Sequence, residues 1–326
     1  MHSYEPRNTH FDDPRAVPAG TPRVTPSDEP HATQPPPDPP PDDGWHVTHD
    51  VEAFLDRTGD FLHSQPALHT VQLTVTERLR TRGADTYGSE VPFLGWLEEG
   101  DDIHATYLRT PPHPLVLSPL TTAQADTLAA RLAALGHQLP GVDADHATAT
   151  AFAEAWQQHT GVASTLRRRH RLYRLGTLTP PSPCPAGRAR RVDAADRGQL
   201  ASWYGEFMNA VGEGPVTDAA SLADLGISRG LVTFWETPEG AAVSMAGVTP
   251  LVAGQIRVTT VYTPAHLRGR GYAGAVTAEV SRAALAAGAQ EVLLFADLSN
   301  STSNGLYQRL GYTPVEDFAA YDFEAG

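Results

Sequence analysis

The chain of 326 residues contains no lysine and a single cysteine, Cys184. Without lysine there is no Schiff-base nucleophile and no Walker A phosphate loop, which removes two large groups of enzymes. One cysteine excludes intramolecular disulfides and Cys-based zinc or iron–sulfur sites. The 14 histidines form no HExxH and no pair backed by a cysteine or acidic cluster, so no metal is expected. Positive charge is also scarce: 24 Lys+Arg, all of them Arg, stand against 38 Asp+Glu for a formal charge of −14. A broad nucleic-acid or anionic-membrane face is therefore not expected, and any anion site must be local. No apolar run approaches the roughly 18 residues of a spanning helix. No basic-then-apolar N-terminus resembles a signal peptide, and the expected compartment is a reducing cytoplasm.

What is present divides into a tail and two domains. From Met1 to Gly44 lie twelve of the 28 prolines, with eight acids against three arginines, a net −5. Such a stretch cannot bury enough to offset its ordering entropy, so residues 1–45 are expected to be a disordered Pro-rich acidic tail. A second break at Thr179 to Gly187, TPPSPCPAG, interrupts the apolar pattern. The remaining length suits two cores of roughly 130 to 150 residues. The expected division is 46–178, a linker at 179–187, and 188–326.

In the first half, periodicity predicts helices over Val51–Leu62, Thr121–Leu135 and Ala147–His159. Strands are predicted at Val71–Val75, Phe93–Glu98, Ile103–Arg109, Leu115–Leu117 and Thr165–Leu175. That last strand carries Arg167, Arg168, Arg169, Arg171 and Arg174, interrupted by leucines and Tyr173, and reads as a solvated strand face rather than an RNA patch. In the second half, strands are expected at Arg190–Asp193, Leu231–Glu236, Ala241–Val248, Arg257–Thr263, Glu291–Phe295, Tyr312–Val315 and Ala319–Phe323. Helices are expected at Asp196–Val211, Asp218–Leu225, Gly271–Ala287 and Asn304–Leu310. Trp203, Phe207, Trp235 and Met245 read as core. The halves echo each other: Val116-Leu117-Ser118-Pro119 and Val261-Tyr262-Thr263-Pro264 each lead into a helix ended by glycine, Gly136 and Gly288.

The segment richest in chemistry is Val261 to Ala273, VYTPAHLRGRGYA, a strand, a proline turn and a glycine-rich loop opening a helix. Gly269 and Gly271 let successive N–H groups converge on one point, where a diphosphate can sit. The helix dipole, Arg268 and Arg270 add positive charge in a chain that is otherwise acidic.

Combined with Phe295 to Tyr312, FADLSNSTSNGLYQRLGY, this segment resembles the GNAT family of N-acetyltransferases. Arg268-Gly269-Arg270-Gly271-Tyr272-Ala273 fits the family's pattern of Arg or Gln, two variable residues, Gly, one variable residue, then Gly or Ala. Asn300, Asn304, Tyr307 and Leu310-Gly311-Tyr312 look like its second signature. The resemblance runs from about Arg190 to Phe323 and implies an α/β fold with a twisted mixed sheet flanked by helices. For the first half, which lacks both motifs, it implies only a degenerate copy. It implies acetyl-CoA as cosubstrate, with pantetheine along Val261, Tyr262 and Thr263, the diphosphate on Arg268 to Ala273, and Asn300 and Asn304 beside the arm. Tyr307 would be the acid for the leaving thiolate.

The implied reaction is direct transfer of an acetyl group to a primary amine of a small molecule. The strand before the loop, IRVTTVYT, lacks the acid that often serves this family as base. The candidates are then Glu206, Glu213 or water relayed by Thr260, while Asp297 on the coenzyme side would order Asn300. The acidic surface favours cationic acceptors such as amino-sugars, amino acids or polyamines through steering. Two other readings stay open: a non-catalytic CoA-binding sensor or scaffold, and a tandem acyltransferase that draws on aminoacyl-tRNA.

Overall fold

The computed structural model describes residues 43–211 and 219–324. The expected tail up to residue 42 and the candidate base Glu213 lie outside the described residues. The first half runs β1 (Trp45–Thr48), α1 (Val51–Ser64), α2 (Thr70–Arg82), β2 (Phe93–Glu99), β3 (Asp102–Arg109), β4 (Leu115–Leu117), α3 (Thr122–Ala134), β5 (Gly141–Asp145), α4 (His146–Thr160) and β6 (Ser164–Leu175). The second runs β7 (Arg188–Arg191), α5 (Arg197–Ala210), α6 (Ala219–Ser228), β8 (Val232–Glu236), β9 (Ala242–Val248), β10 (Gln255–Tyr262), α7 (Tyr272–Ala286), β11 (Glu291–Asp297), α8 (Ser301–Arg309) and β12 (Tyr312–Phe323). One succession of strands and helices thus occurs twice. Among the described residues no helix is long and apolar enough to cross a membrane.

All these strands join one mixed sheet in the order β1-β2-β3-β4-β5-β12-β6-β11-β10-β9-β8-β7. Every neighbour is antiparallel except β4 with β5 and β10 with β11. The last strand of each half crosses over: β12 lies beside β5, and β6 beside β11. β6 and β12 also pair with each other from Tyr312↔Leu175 to Phe323↔Ser164. The break at residues 179–187 therefore interrupts the chain but not the sheet. Removing either strand would strip a hydrogen-bonded neighbour from the opposite half and expose new strand edges.

Burial explains the layering. Val276, Val280 and Ala284 of α7 pack on Ile256, Val258, Val292 and Leu294. On the opposite face of the second half, Leu200 and Trp203 of α5 pack on Phe234, Met245 and Tyr262. Ala67, Leu172, Leu293 and Phe318 join the two halves. Trp203, Trp235 and Met245 are core, as their composition implies.

Four local readings need correction. Val71–Val75 is the first part of helix α2, because Gln72, Leu73, Thr76 and Leu79 are buried at helical spacing. Tertiary packing there outweighs the β-branched propensity of VQLTV. Tyr312 to Phe323 is one strand whose pattern is broken by a bulge between Pro314 and Glu316. Trp45, read as the end of the tail, is 2% exposed and pairs with Leu97. The short acidic strand β5 carries too little apolar signal to be read from its sequence. It requires glycine at its start, since a Cβ on Gly141 would fall 2.2 Å from the Tyr321 carbonyl oxygen.

Candidate active site

β10 and β11 run in parallel register from Gln255↔Glu291 to Val258↔Leu294 and then part. Just past that point β10 bulges between Thr259 and Tyr262, and Thr260 takes a φ of 42°. A β-branched residue at positive φ is strained, and a bulge adds local twist, so the strand is bent away from its neighbour where the sheet opens. A cleft of about 1200 Å³ occupies the opening, lined by residues of both halves.

At one end of the cleft lies the glycine loop. Gly269 and Gly271 have φ of 76° and 83°, and α7 begins at Tyr272 with no side chain capping its first N–H groups. Arg268 Nε donates to the Thr263 carbonyl at 3.0 Å and an Arg270 terminal nitrogen to the His266 carbonyl at 3.4 Å. All residues from Arg268 to Ala273 line the cleft, as do Val261, Tyr262 and Thr263. The Ser244 hydroxyl donates to the Tyr262 carbonyl at 3.0 Å and lies 2.8 Å from the Thr263 hydroxyl, which fixes the end of β10. The matching helix of the first half differs: α3 is closed by a capping box, with Thr121 accepting from the Gln124 N–H at 3.3 Å and Gln124 from the Thr121 N–H at 3.0 Å. One helix start is open to an anion and the other is filled by its own side chains.

On the α8 side, Tyr307 is 8% exposed, lines the cleft and packs edge-on against Tyr312. Its hydroxyl has no hydrogen-bond partner among the described residues, and burial pushes its pKa up to about 12. This is a protonated donor with its hydrogen uncommitted. Asn300 lines the cleft while its Oδ1 caps α8 through the Ser303 N–H at 3.0 Å.

Asn304 is placed differently from the coenzyme contact implied for it. Its Nδ2 donates to the carbonyls of Asp297 and Asn300, each at 2.7 Å, and its Oδ1 accepts from the Tyr173 hydroxyl at 2.8 Å. It braces the β11–α8 turn and is not part of the cleft wall. The Asp297 carbonyl accepts the Asn300 N–H at 3.1 Å, while its carboxylate is held by the N–H and hydroxyl of Ser299.

Glu206, on α5, is exposed and reaches the cleft only through Tyr262, whose hydroxyl donates to Glu206 Oε2 at 2.6 Å. Burial first, and then that hydrogen bond, push the Tyr262 phenol up to about 12. Phe207 and Thr260 also line the cleft.

Several cleft residues escaped the sequence reading. The arginine run of β6 is largely exposed, as expected of a solvated strand face, and is also paired across strands: Arg167 with Asp322, Arg171 with Asp317 and Arg174 with Glu291. Between them His170, 6% exposed, points into the cleft with Nε2 3.4 Å from Asp143 Oδ1. Arg257 of β10 lines the same space. A lone arginine inside the apolar IRVTTVYT was the available signal for that residue. For His170 and Asp143 none existed, because the fold alone brings β5 and β6 together around β12.

Residues 247–319 match the family model described as FR47-like protein. No curated protein sequence matches the chain. Among solved structures, a GCN5-related N-acetyltransferase from Sphaerobacter thermophilus is 20% identical, with 86% of this chain and 95% of that one covered and a TM-score of 0.56. An acetyltransferase of the GNAT family from Colwellia psychrerythraea is 9% identical, with coverage of 86% and 99% and a TM-score of 0.53. A tandem GNAT protein from the clavulanic acid biosynthesis pathway, solved without AcCoA, is 11% identical, with coverage of 86% and 99% and a TM-score of 0.53. The chain carries the GNAT fold over both halves of its sheet.

Proposed function

We propose that this protein is an acyl-CoA-dependent N-acyltransferase that moves an acetyl group from acetyl-CoA to a primary amine of a small molecule, and that only its second half takes up the coenzyme. The observation that carries this reading is the parted β10–β11 pair, with an uncapped glycine-loop helix at one end of the gap and a buried phenol with a free hydrogen beside it. N–H groups at the start of α7, with Arg268 and Arg270, suit a diphosphate. The free edge of β10 past Val258 suits an extended pantetheine arm.

In the reaction the amine nitrogen bonds to the thioester carbonyl carbon and the carbon–sulfur bond breaks. Tyr307 gives its proton to the departing sulfur and regains one from solvent. The proton lost by the amine passes through the Tyr262 hydroxyl to Glu206, so the products are an amide and a neutral thiol. Asn304 acts as a positioning residue that holds the turn carrying Asn300. The paired arginines of β6 count against an RNA-binding face and thus against an aminoacyl-tRNA donor.

Two measurements test this reading. Titration calorimetry is expected to give one acetyl-CoA site per chain, because the Thr121–Gln124 box fills the matching helix start in the degenerate first half. Two sites of similar affinity would remove that assignment. Thiol release from acetyl-CoA in the presence of an amine panel separates an enzyme from a coenzyme sensor, which would bind without turnover. The base is tested by the pH profile of Glu206→Gln. Wild-type turnover is expected to rise with pH as the amine loses its proton. The variant is expected to fall about tenfold near neutrality, because the relay through Tyr262 then ends on an amide that cannot take the proton. An unchanged profile would make solvent the destination of that proton.

A further inference from the structure

Arg257 is a cation that no anion answers. Its neighbours in β10, Ile256 and Val258, face α7, so its side chain leaves the sheet on the other side, toward α2 of the first half. There it donates to the hydroxyls of Thr70 at 2.9 Å and Thr74 at 3.4 Å, and lies 5.8 Å from the Phe295 ring centre. Both hydroxyls are committed as acceptors toward it: Thr70 gives its own hydrogen to Gln255 Oε1 at 2.6 Å and Thr74 to the Thr70 carbonyl at 2.8 Å. The guanidinium is thus aimed but not neutralised.

No carboxylate of the described residues pairs with it, and burial lowers its pKa to about 10, opposed only by the Tyr87 phenol. Other arginines of the same chain are treated differently. Arg171 is held in a fork by Asp317, and Arg190 by Asp196 together with Glu236. With 38 acids available against 24 arginines, the absence of a carboxylate partner at this half-buried cation has a cost that a bound anion would remove.

The position fits the proposed chemistry. Arg257 sits one residue before Val258, the last β10 residue in register with β11, and three before the Thr260 bulge, so its Cα lies within about 10 Å along the strand of the opening. Arg257 lines the cleft, and a guanidinium has five N–H donors, of which the two to threonine are engaged here. A single guanidinium balances a single charge and offers a fork that matches a carboxylate.

Resting on the acyltransferase reading, we propose that the acceptor amine also carries a carboxylate, received by Arg257 at the boundary between the halves, so that the substrate class is a small amino acid or a compound built like one. Amino-sugars and polyamines, which the acidic surface alone would equally attract, lack the group this cation needs. The first half then contributes substrate recognition through α2 rather than a second coenzyme site.

The test compares matched acceptors with the full-length protein: α-, β- and γ-amino acids, each beside its carboxamide, followed by thiol release from acetyl-CoA. The acid member of the best pair is expected to exceed its amide at least thirtyfold in kcat/KM. In Arg257→Gln that ratio is expected to fall to near one, chiefly through a raised KM for the acid, while Arg257→Lys keeps part of it. Acetyl-CoA affinity by calorimetry shows whether each variant is folded. Equal use of acid and amide by the wild type would overturn the proposal, as would an equal loss for both members in Arg257→Gln. Should Arg257→Gln fail to fold, the wild-type ratio and the lysine variant decide. Coenzyme binding without thiol release for any member would overturn the acyltransferase reading itself and this proposal with it. Turnover of amides as readily as acids would leave that reading intact.

Discussion

Gly271→Val is expected to abolish acetyl-CoA binding while leaving a folded protein. Gly271 holds a φ of 83°, and the nearest atom a Cβ would meet is Pro185 Cδ at 3.6 Å, an ordinary contact. The damage is therefore conformational and not a clash within the core. A β-branched residue in the left-handed region is strained by about 1 to 3 kcal/mol, and the loop relieves that strain by turning its peptide units. Turning them moves the first N–H groups of α7, which no side chain caps and which are proposed to hold the diphosphate. The added methyl groups also stand where the ligand must approach. A loss of at least a hundredfold in affinity, about 2.7 kcal/mol, is expected by calorimetry. A melting temperature within several degrees of wild type would show that the fold survives. Near-normal affinity in the folded variant would move the diphosphate away from this loop. Valine at Gly136, the helix-ending glycine of the first half, also meets a positive φ, 75°, with no atom within 4 Å. Such a variant is expected to cost stability but not coenzyme affinity, which separates strain in general from strain at the site.

What could be read from the sequence was what is local. The VYTPAHLRGRGYA segment announces its turn because glycine, proline and arginine each act through their own backbone or charge, and the structure places all of Arg268 to Ala273 on the cleft. Helices α3 and α7 were legible from apolar spacing and from the glycines that follow them. The exchange of β6 and β12 was not, since pairing between residues such as Leu166 and Tyr321 depends on which strand arrives beside which, and both strands read as ordinary members of their own halves. The same applies to the acceptor side of the cleft. Arg257 meets Thr70 across 187 positions of sequence, and nothing near either residue marks the encounter. Asn304 shows the converse: it occupies a family position, yet the structure spends its amide on backbone carbonyls and Tyr173. A motif fixes residue type at a position, but only the hydrogen-bond inventory shows what remains free for a ligand.

Tyr307→Phe separates a chemical role from a packing role at a single atom. The ring is buried against Tyr312 and belongs to the core between α7, α8 and the sheet. Phenylalanine keeps that packing. The hydroxyl has no partner among the described residues, so its removal leaves no protein group unsatisfied, and little change in melting temperature is expected. A hydroxyl on a largely buried ring that contributes nothing to the hydrogen bonding of the folded protein, in a residue that lines the cleft, is available to a ligand. With its pKa raised to about 12 by desolvation, it keeps its proton throughout the neutral range, which is the state a donor to a departing thiolate must be in. Once the carbon–sulfur bond breaks, the thiolate is charged in surroundings that disfavour charge, and transfer of the phenolic proton removes it. Turnover is therefore expected to fall by roughly tenfold to a thousandfold, with acetyl-CoA affinity nearly unchanged, because the hydroxyl acts on the transition state and not on the bound thioester. The pH profile of the variant should keep its acidic limb, since that limb belongs to the amine. Wild-type turnover in the variant would make Tyr307 a core aromatic and leave the thiolate to be stabilised by water. A loss of affinity equal to the loss of rate would instead make the hydroxyl a ground-state contact to the coenzyme.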